Sequence, residues 1–292
     1  MLSLLLQLLP LNQAQMILTK NLLPREERRI KKDIDPILKE VGLMLKLDHE
    51  RVVKCFGCLA DDIDLILFME MMINGSVLQE MRRQKAPLDS ATTVKYLKQA
   101  MEGVVYIHSQ GVIHRDLKCA NLLLDASKDV KLADFGISQE IRLKQNGMTS
   151  STFSENGSGG IKGTLLHMAP EVLNSELMTS SGESESSPES VNKKAFTRKS
   201  DVWSMGCTAV EMLTMMGPHE ELTDGWRTEK FIFQAGSGKL KYIASELCPD
   251  AEADIQALLD KIFQLADVRL TSEELLSELE ELERRQTVPL SG

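Results

Sequence analysis

Residues 113–124 read IHRDLKCANLLL, a histidine, an arginine, an aspartate, a lysine and an asparagine held between an isoleucine and a run of leucines. Charged side chains are seldom carried against apolar segments unless partners satisfy them. The stretch therefore demands a fold that gathers partners around a polar loop inside a core. It also demands a chemistry that needs these residue types at this spacing.

At 292 residues the chain is long enough for one large domain or two lobes with a sizeable core. The net charge of −9 has the wrong sign for binding a phosphate backbone, which argues against a nucleic-acid partner. Five cysteines, an odd and sparse set without framework spacing, indicate a reducing compartment, here the cytoplasm. Cys55 and Cys58 form a C-x-x-C, but no second Cys/His pair follows at zinc spacing, so they read as strand and turn residues. The apolar start, MLSLLLQLLP, is too short to span a bilayer and lacks the basic region of a signal peptide.

Residues 15–20 read as a short strand, and Ile30, Ile34, Ile37, Val41, Met44 and Leu45 form one helix face, with Pro36 as a break or kink. Two apolar runs, 51–59 and 64–72, have strand length and are separated by Asp61-Asp62. After Asn74-Gly75 the pattern turns helical. Asp89 or Ser90 caps a helix with apolar face Val94, Leu97, Met101, Val104 and Val105, and Gly111 ends it. Runs 122–124 and 130–133 form a small hairpin. Residues 174–199 contain a Ser/Glu-rich stretch with too little apolar surface to order itself, and are read as a disordered insertion. DVWSMGCTAVEMLTM, from Asp201, is apolar nearly all round and predicts a buried central helix. The acidic run SEELLSELEELERR is a partner helix or, more commonly, a solvated surface helix. The fold class is α+β, with strands and one helix first and then mostly helices.

Asp116 follows His114 by two, Asn121 follows Asp116 by five, and Asp134-Phe135-Gly136 begins thirteen after Asn121. Ala169-Pro170-Glu171 and Asp201-Val202-Trp203 come later. In this order the motifs resemble the eukaryotic protein kinase signature. The resemblance covers about residues 16–282 and implies a bilobal kinase fold with ATP and Mg²⁺ as cofactors. It assigns 1–15 as a divergent N-terminus in place of the glycine-rich loop, 16–73 as a shortened N-lobe, 74–282 as the C-lobe and 283–292 as a tail. Phosphoryl transfer is catalysed by positioning and charge neutralisation. Asp116 matches the carboxylate that orients the substrate hydroxyl and accepts its proton. Asn121 and Asp134 match the magnesium ligands, and Lys118, in D-L-K-x-x-N, matches the serine/threonine class, as does Thr164. Glu171 resembles a glutamate that pairs with an arginine, here Arg269, and Asp201 resembles the cap of the catalytic-loop backbone. His114, Phe135, Met44 and Cys55 map onto stacked side chains linking the lobes. Arg115 is either the partner of an activation-loop phosphate or a structural arginine.

In the small lobe, Lys20 and Glu40 match the phosphate-binding lysine and the helix glutamate that holds it, or else are surface charges. In LILFMEMMINGS, Met69 matches the gatekeeper, Glu70 and Met72 the adenine-binding backbone groups, and Leu123 the floor under the base. The alternating methionines are otherwise core. HERVVKCFGCL, FMEMMINGSV and GTLLHMAPEV resemble the mitogen-activated protein kinase kinase kinase group, which implies a MAP kinase kinase as protein substrate and an upstream activator acting on the activation segment. Thr149, Ser150, Ser151, Thr152, Ser154 and Ser158 are candidate acceptors there. Three departures stand out. No glycine precedes Gly42, and Leu18 stands where a small residue packs on adenine. His167 replaces the aromatic residue usual before MAPE. The chain is thus expected to be an active kinase in shortened form, or a catalytically impaired scaffold, or an interaction module without nucleotide.

Overall fold

The computed structural model describes residues 41–60, 65–134, 163–174 and 196–287. Residues 41–44 are helical. Strands β1 (Cys55–Ala60) and β2 (Leu65–Met69) pair antiparallel, with an irregularity between Cys55 and Gly57. The run beginning at residue 51 is thus shorter as a strand than its apolar length predicts. Arg51 and Val53 bond instead to Leu132, giving a parallel bridge at Val52. Cys55 and Cys58 are buried free thiols whose pKa values burial pushes up, so the C-x-x-C is packing.

Helix α1 (Val77–Gln84) starts at a capping box, with Ser76 and Gln79 each satisfying the other's backbone N–H. Helix α2 (Ser90–Ser109) is the long helix expected from its 3.6-residue period. Asp89 accepts from the Thr92 N–H at 2.8 Å. At the other end Gly111 takes φ +76°, a backbone that side chains with a Cβ rarely adopt, and Val112 N–H reaches back to Ile107 O.

The Asp89 cap gives a testable pH dependence. The backbone bond from Thr92 holds its carboxyl below the ordinary value. A lowered folded pKa means the stabilisation is present above the unfolded pKa and is lost as pH falls through the folded one. Asp89→Ala is therefore expected to cost about 1 kcal/mol near neutrality. In urea titrations the gap between parent and variant should close in acid, and a gap that ignores pH would contradict the assignment.

A 3₁₀ turn (Cys119–Asn121) leads into the hairpin of β3 (Leu122–Leu124) and β4 (Val130–Leu132), as read from the sequence. Short helix α3 (Gly163–Leu166) precedes α4 (Arg198–Thr214). Every residue of α4 from Ser200 to Met212 is buried, as its all-round apolar pattern predicts. Of the expected insertion 174–199, the described residues are 174 and 196–199: Asn174 is helical, and Thr197 caps α4 in a capping box with Ser200. The rest of that expectation, 175–195, lies outside the described residues.

Helices α5 (Glu220–Thr223), α6 (Thr228–Gly236), α7 (Ala244–Leu247), α8 (Ala253–Ile262) and α9 (Ser272–Thr287) complete the larger part. The expectation of a merely solvated α9 is corrected. Leu275, Leu279 and Leu282 are buried, and the first two share a lining with Val94 and Leu97 of α2 and Met205 and Ala209 of α4. The spacings of four and three put these leucines on one helix face, while the glutamates stay outward.

The small sheet is tied down at Arg51. Its guanidinium bonds Glu102 at 2.8 Å and Asp129 at 3.2 Å, joining the approach to β1 with α2 and the β3–β4 turn. His49 stacks on Tyr106 with ring centroids 4.6 Å apart. The backbones come so close that a Cβ on Gly103 would lie 2.7 Å from Arg51 O. No helix among the described residues is long and apolar enough to cross a membrane.

Candidate active site

The polar loop of residues 113–121 is held by the buried helix beneath it. Asp201, on α4, is fully buried and accepts from the backbone N–H of His114 at 2.8 Å and of Arg115 at 2.9 Å. His108 Nε2 donates to the same carboxylate at 2.8 Å. Three donors from two elements make a buried carboxylate tolerable and fix the loop's path. Arg115 takes φ +70° on that path, an uncommon backbone for a bulky residue. Its guanidinium lies over the Phe196 ring at 5.8 Å.

His114 is fully buried, and burial pushes its pKa down, so the neutral ring is the stable form. Nε2 donates to Ala133 O at 3.0 Å, which leaves Nδ1 as acceptor toward the Asp116 N–H at 3.4 Å. Met44 and Cys55, the other described members of the expected stack, are both 6% exposed and belong to the main core. Phe135 lies outside the described residues.

The carboxylate of Asp116 is 7% exposed. Lys118 Nζ is 2.9 Å from each of its oxygens, and Asn121 Nδ2 donates to Oδ2 at 3.0 Å. Lys118 also donates to Thr164 Oγ1 at 2.8 Å, so the segment at α3 joins the loop at its charged centre. Asn121 Nδ2 is further committed to Asp116 O at 2.7 Å, which leaves the amide oxygen as its atom for a cation. Ala133 N–H donates to Asn121 O at 3.0 Å and sets Asp134 next to Asn121. Asp134 is exposed, at φ +57°, a conformation aspartate tolerates better than most residues.

This donor set, one carboxylate and one amide oxygen, fits magnesium, which prefers hard oxygens and takes one or two protein ligands beside substrate phosphates. Among the described residues no group of three or more His, Cys, Asp and Glu is placed to hold a metal by itself.

The residues matched to the hinge run on from the end of β2. Met69 is 38% and Met71 84% exposed, so the alternating methionines are not core. Glu70 N–H donates to Lys54 O, and its carboxylate pairs with Lys131 at 2.6 Å. Gly75 N–H donates to Met72 O at 3.3 Å. Leu124 N–H donates to Gly75 O, and Ser76 bridges Leu123, so Leu123 stands beside the end of that segment. Lys20, Glu40 and the candidate acceptors of 149–158 lie outside the described residues.

The Glu171–Arg269 pair forms as expected, at 2.7 Å. The protein kinase domain family matches residues 7–279. The chain belongs to the protein kinase family. It is similar to mitogen-activated protein kinase kinase kinase 3 of Mus musculus, at 35% identity over 248 residues, 84% of this chain and 34% of that protein. Mitogen-activated protein kinase kinase kinase 1 of Arabidopsis thaliana is 32% identical over 212 residues, 73% of this chain and 29% of its own length. The MAP kinase kinase kinase mkh1 of Schizosaccharomyces pombe is 31% identical over 255 residues, 85% of this chain and 20% of its own. The chain spans about a third or less of the length of these curated relatives. The kinase fold is the α+β architecture expected, and the group resemblance read from three short motifs extends over most of the chain.

One site residue escaped the sequence reading. Glu211 accepts from the Cys119 N–H, immediately after Lys118, at 2.9 Å. A glutamate as the one charge in the apolar stretch CTAVEMLT of a buried helix was the available signal.

Proposed function

We propose that this chain is a serine/threonine protein kinase that transfers the γ-phosphate of ATP to a protein hydroxyl, with a MAP kinase kinase as substrate. The observation that carries the reading is the Asp116 carboxylate, fixed by Lys118 and Asn121, with Thr164 on the same lysine. Asp116 orients the incoming hydroxyl and takes its proton. Lys118 offsets charge beside it. Asn121 and Asp134 would hold magnesium, which supplies charge neutralisation at the phosphates. Leu123 and the backbone of Glu70 and Met72 would receive the adenine, with Met69 as gatekeeper. Lys20 and Glu40 complete the reading on the small-lobe side. Buried, reduced cysteines suit a cytoplasmic enzyme, and an upstream activator would act on the activation segment.

The test is phosphorylation of a MAP kinase kinase by this chain beside an Asp134→Asn variant. Losing one carboxylate ligand is expected to slow transfer about a hundredfold or more, equivalent to roughly 2.7 kcal/mol. Equal signal from both proteins would remove the assignment. The alternative is a catalytically impaired scaffold. Thermal stabilisation by Mg-ATP without phosphate transfer would select it. No stabilisation at all would select an interaction module.

A further inference from the structure

Glu211 is 9% exposed, in a helix stretch, CTAVEMLT, with no other charge. A carboxylate there needs donors, and two reach it from different parts of the chain. The Cys119 N–H donates to Oε2 at 2.9 Å, and His167 Nε2 donates to the same oxygen at 3.1 Å. Burial by itself would push the Glu211 pKa up, yet the bond and charge of His167, with the Cys119 amide, bring it below the ordinary value.

The two donors belong to the segments that must meet for transfer to a protein. Cys119 follows Lys118 in the loop that carries Asp116. His167 stands three residues after Thr164, which Lys118 holds at 2.8 Å. Ser204, also on α4, donates its hydroxyl to His167 O at 2.8 Å, so backbone and ring of His167 are both fastened to the same helix. Lys118–Thr164 is a partly buried tether, with the lysine side chain 18% exposed. His167–Glu211–Cys119 is a second, buried tether beneath it.

We propose that His167 is a positioning residue for the protein substrate: paired to Glu211, it locks residues 163–168 onto the catalytic loop so that the substrate's hydroxyl is presented to Asp116. The functional half rests on the kinase reading above, whereas the tether is a property of the fold.

The experiment compares parent, His167→Phe and His167→Gln in the full chain. Phenyl fills the space but cannot donate to Glu211, and the glutamine amide can. Amide hydrogen exchange reads the tether without any activity. In His167→Phe, amides 117–121 and 164–168 should exchange about tenfold faster or more, with α2 unchanged, and His167→Gln should stay near the parent. Unchanged exchange in His167→Phe, or equal acceleration in α2, would overturn the proposal. If His167→Phe does not fold, His167→Phe/Glu211→Gln leaves no buried charge and keeps an oxygen for the Cys119 N–H. There only 164–168 should accelerate, and parent-like protection would overturn the tether.

Kinetics read the functional half. KM for the protein substrate should rise about fivefold or more in His167→Phe while KM for ATP holds, with recovery in His167→Gln. An unmoved protein-substrate KM would overturn that half. A parent chain that transfers no phosphate would sink the kinase reading and leave the exchange result to judge the tether.

Discussion

Asp116→Asn is expected to fold normally and to transfer phosphate about 10²–10⁴-fold more slowly than the parent, the range a positioned general base contributes. The change is nearly isosteric, and the amide oxygen can still accept from Lys118 or from Asn121. What disappears is the negative charge that Lys118 approaches at 2.9 Å through both oxygens, and with it the acceptor for the hydroxyl proton. The loop itself hangs on Asp201, not on Asp116, so its path should survive. The melting temperature should therefore move by no more than about 4 °C, the shift expected for roughly 1 kcal/mol in a domain of this size. Single-turnover rates together with thermal melts decide the matter. Activity within tenfold of the parent would remove Asp116 from the mechanism. Lost activity with a collapsed melt would make it structural instead.

The largest stability effect is expected at Arg269. Its side chain is fully buried and makes two bonds to Glu171, at 2.7 and 3.1 Å, one to Lys199 O at 2.7 Å and one to Gln264 O at 3.1 Å. It also lies over the Trp203 ring at 4.8 Å. Arg269→Met keeps much of the volume but strands the Glu171 carboxylate and two carbonyls. Breaking a buried pair from one side costs about 3–5 kcal/mol. At 2–4 °C per kcal/mol that lowers the melting temperature by about 6–20 °C. Arg269→Lys should recover little, because an ammonium cannot reproduce the planar two-bond geometry. Glu171→Gln/Arg269→Met should cost less than the sum of the single changes, since no stranded charge remains. Urea midpoints that fall without a change in slope would confirm a pure stability loss. A shift under about 2 °C would mean the pair is not holding the fold.

The motifs made the site legible because short chain segments carry their own geometry. Asn121 follows Asp116 by five positions, and a single 3₁₀ turn closes that gap. The β3–β4 hairpin then returns the chain so that Ala133 bonds Asn121 and delivers Asp134. The capped helix at Asp89, its glycine end at Gly111 and the buried helix from Asp201 follow from local propensity and period in the same way. The acidic run at the C-terminus was harder. Its charge pattern suits a solvated helix, and only packing against α2 shows that its leucines complete the core.

From the sequence alone came the kinase family, the candidate site residues Asp116, Asn121 and Asp134, the lysine and threonine beside them, and the Glu171–Arg269 pairing. Each is a motif of fixed spacing or a pair the motif implies. Only the tertiary structure decided that His167 reaches Glu211, that Glu211 serves the Cys119 amide, and that Arg51 ties the small sheet to α2 and the hairpin turn. These partners lie 44, 92 and 51 or more residues apart in the chain. Over such separations the choice of partner is set by which faces pack together, and no local spacing records it.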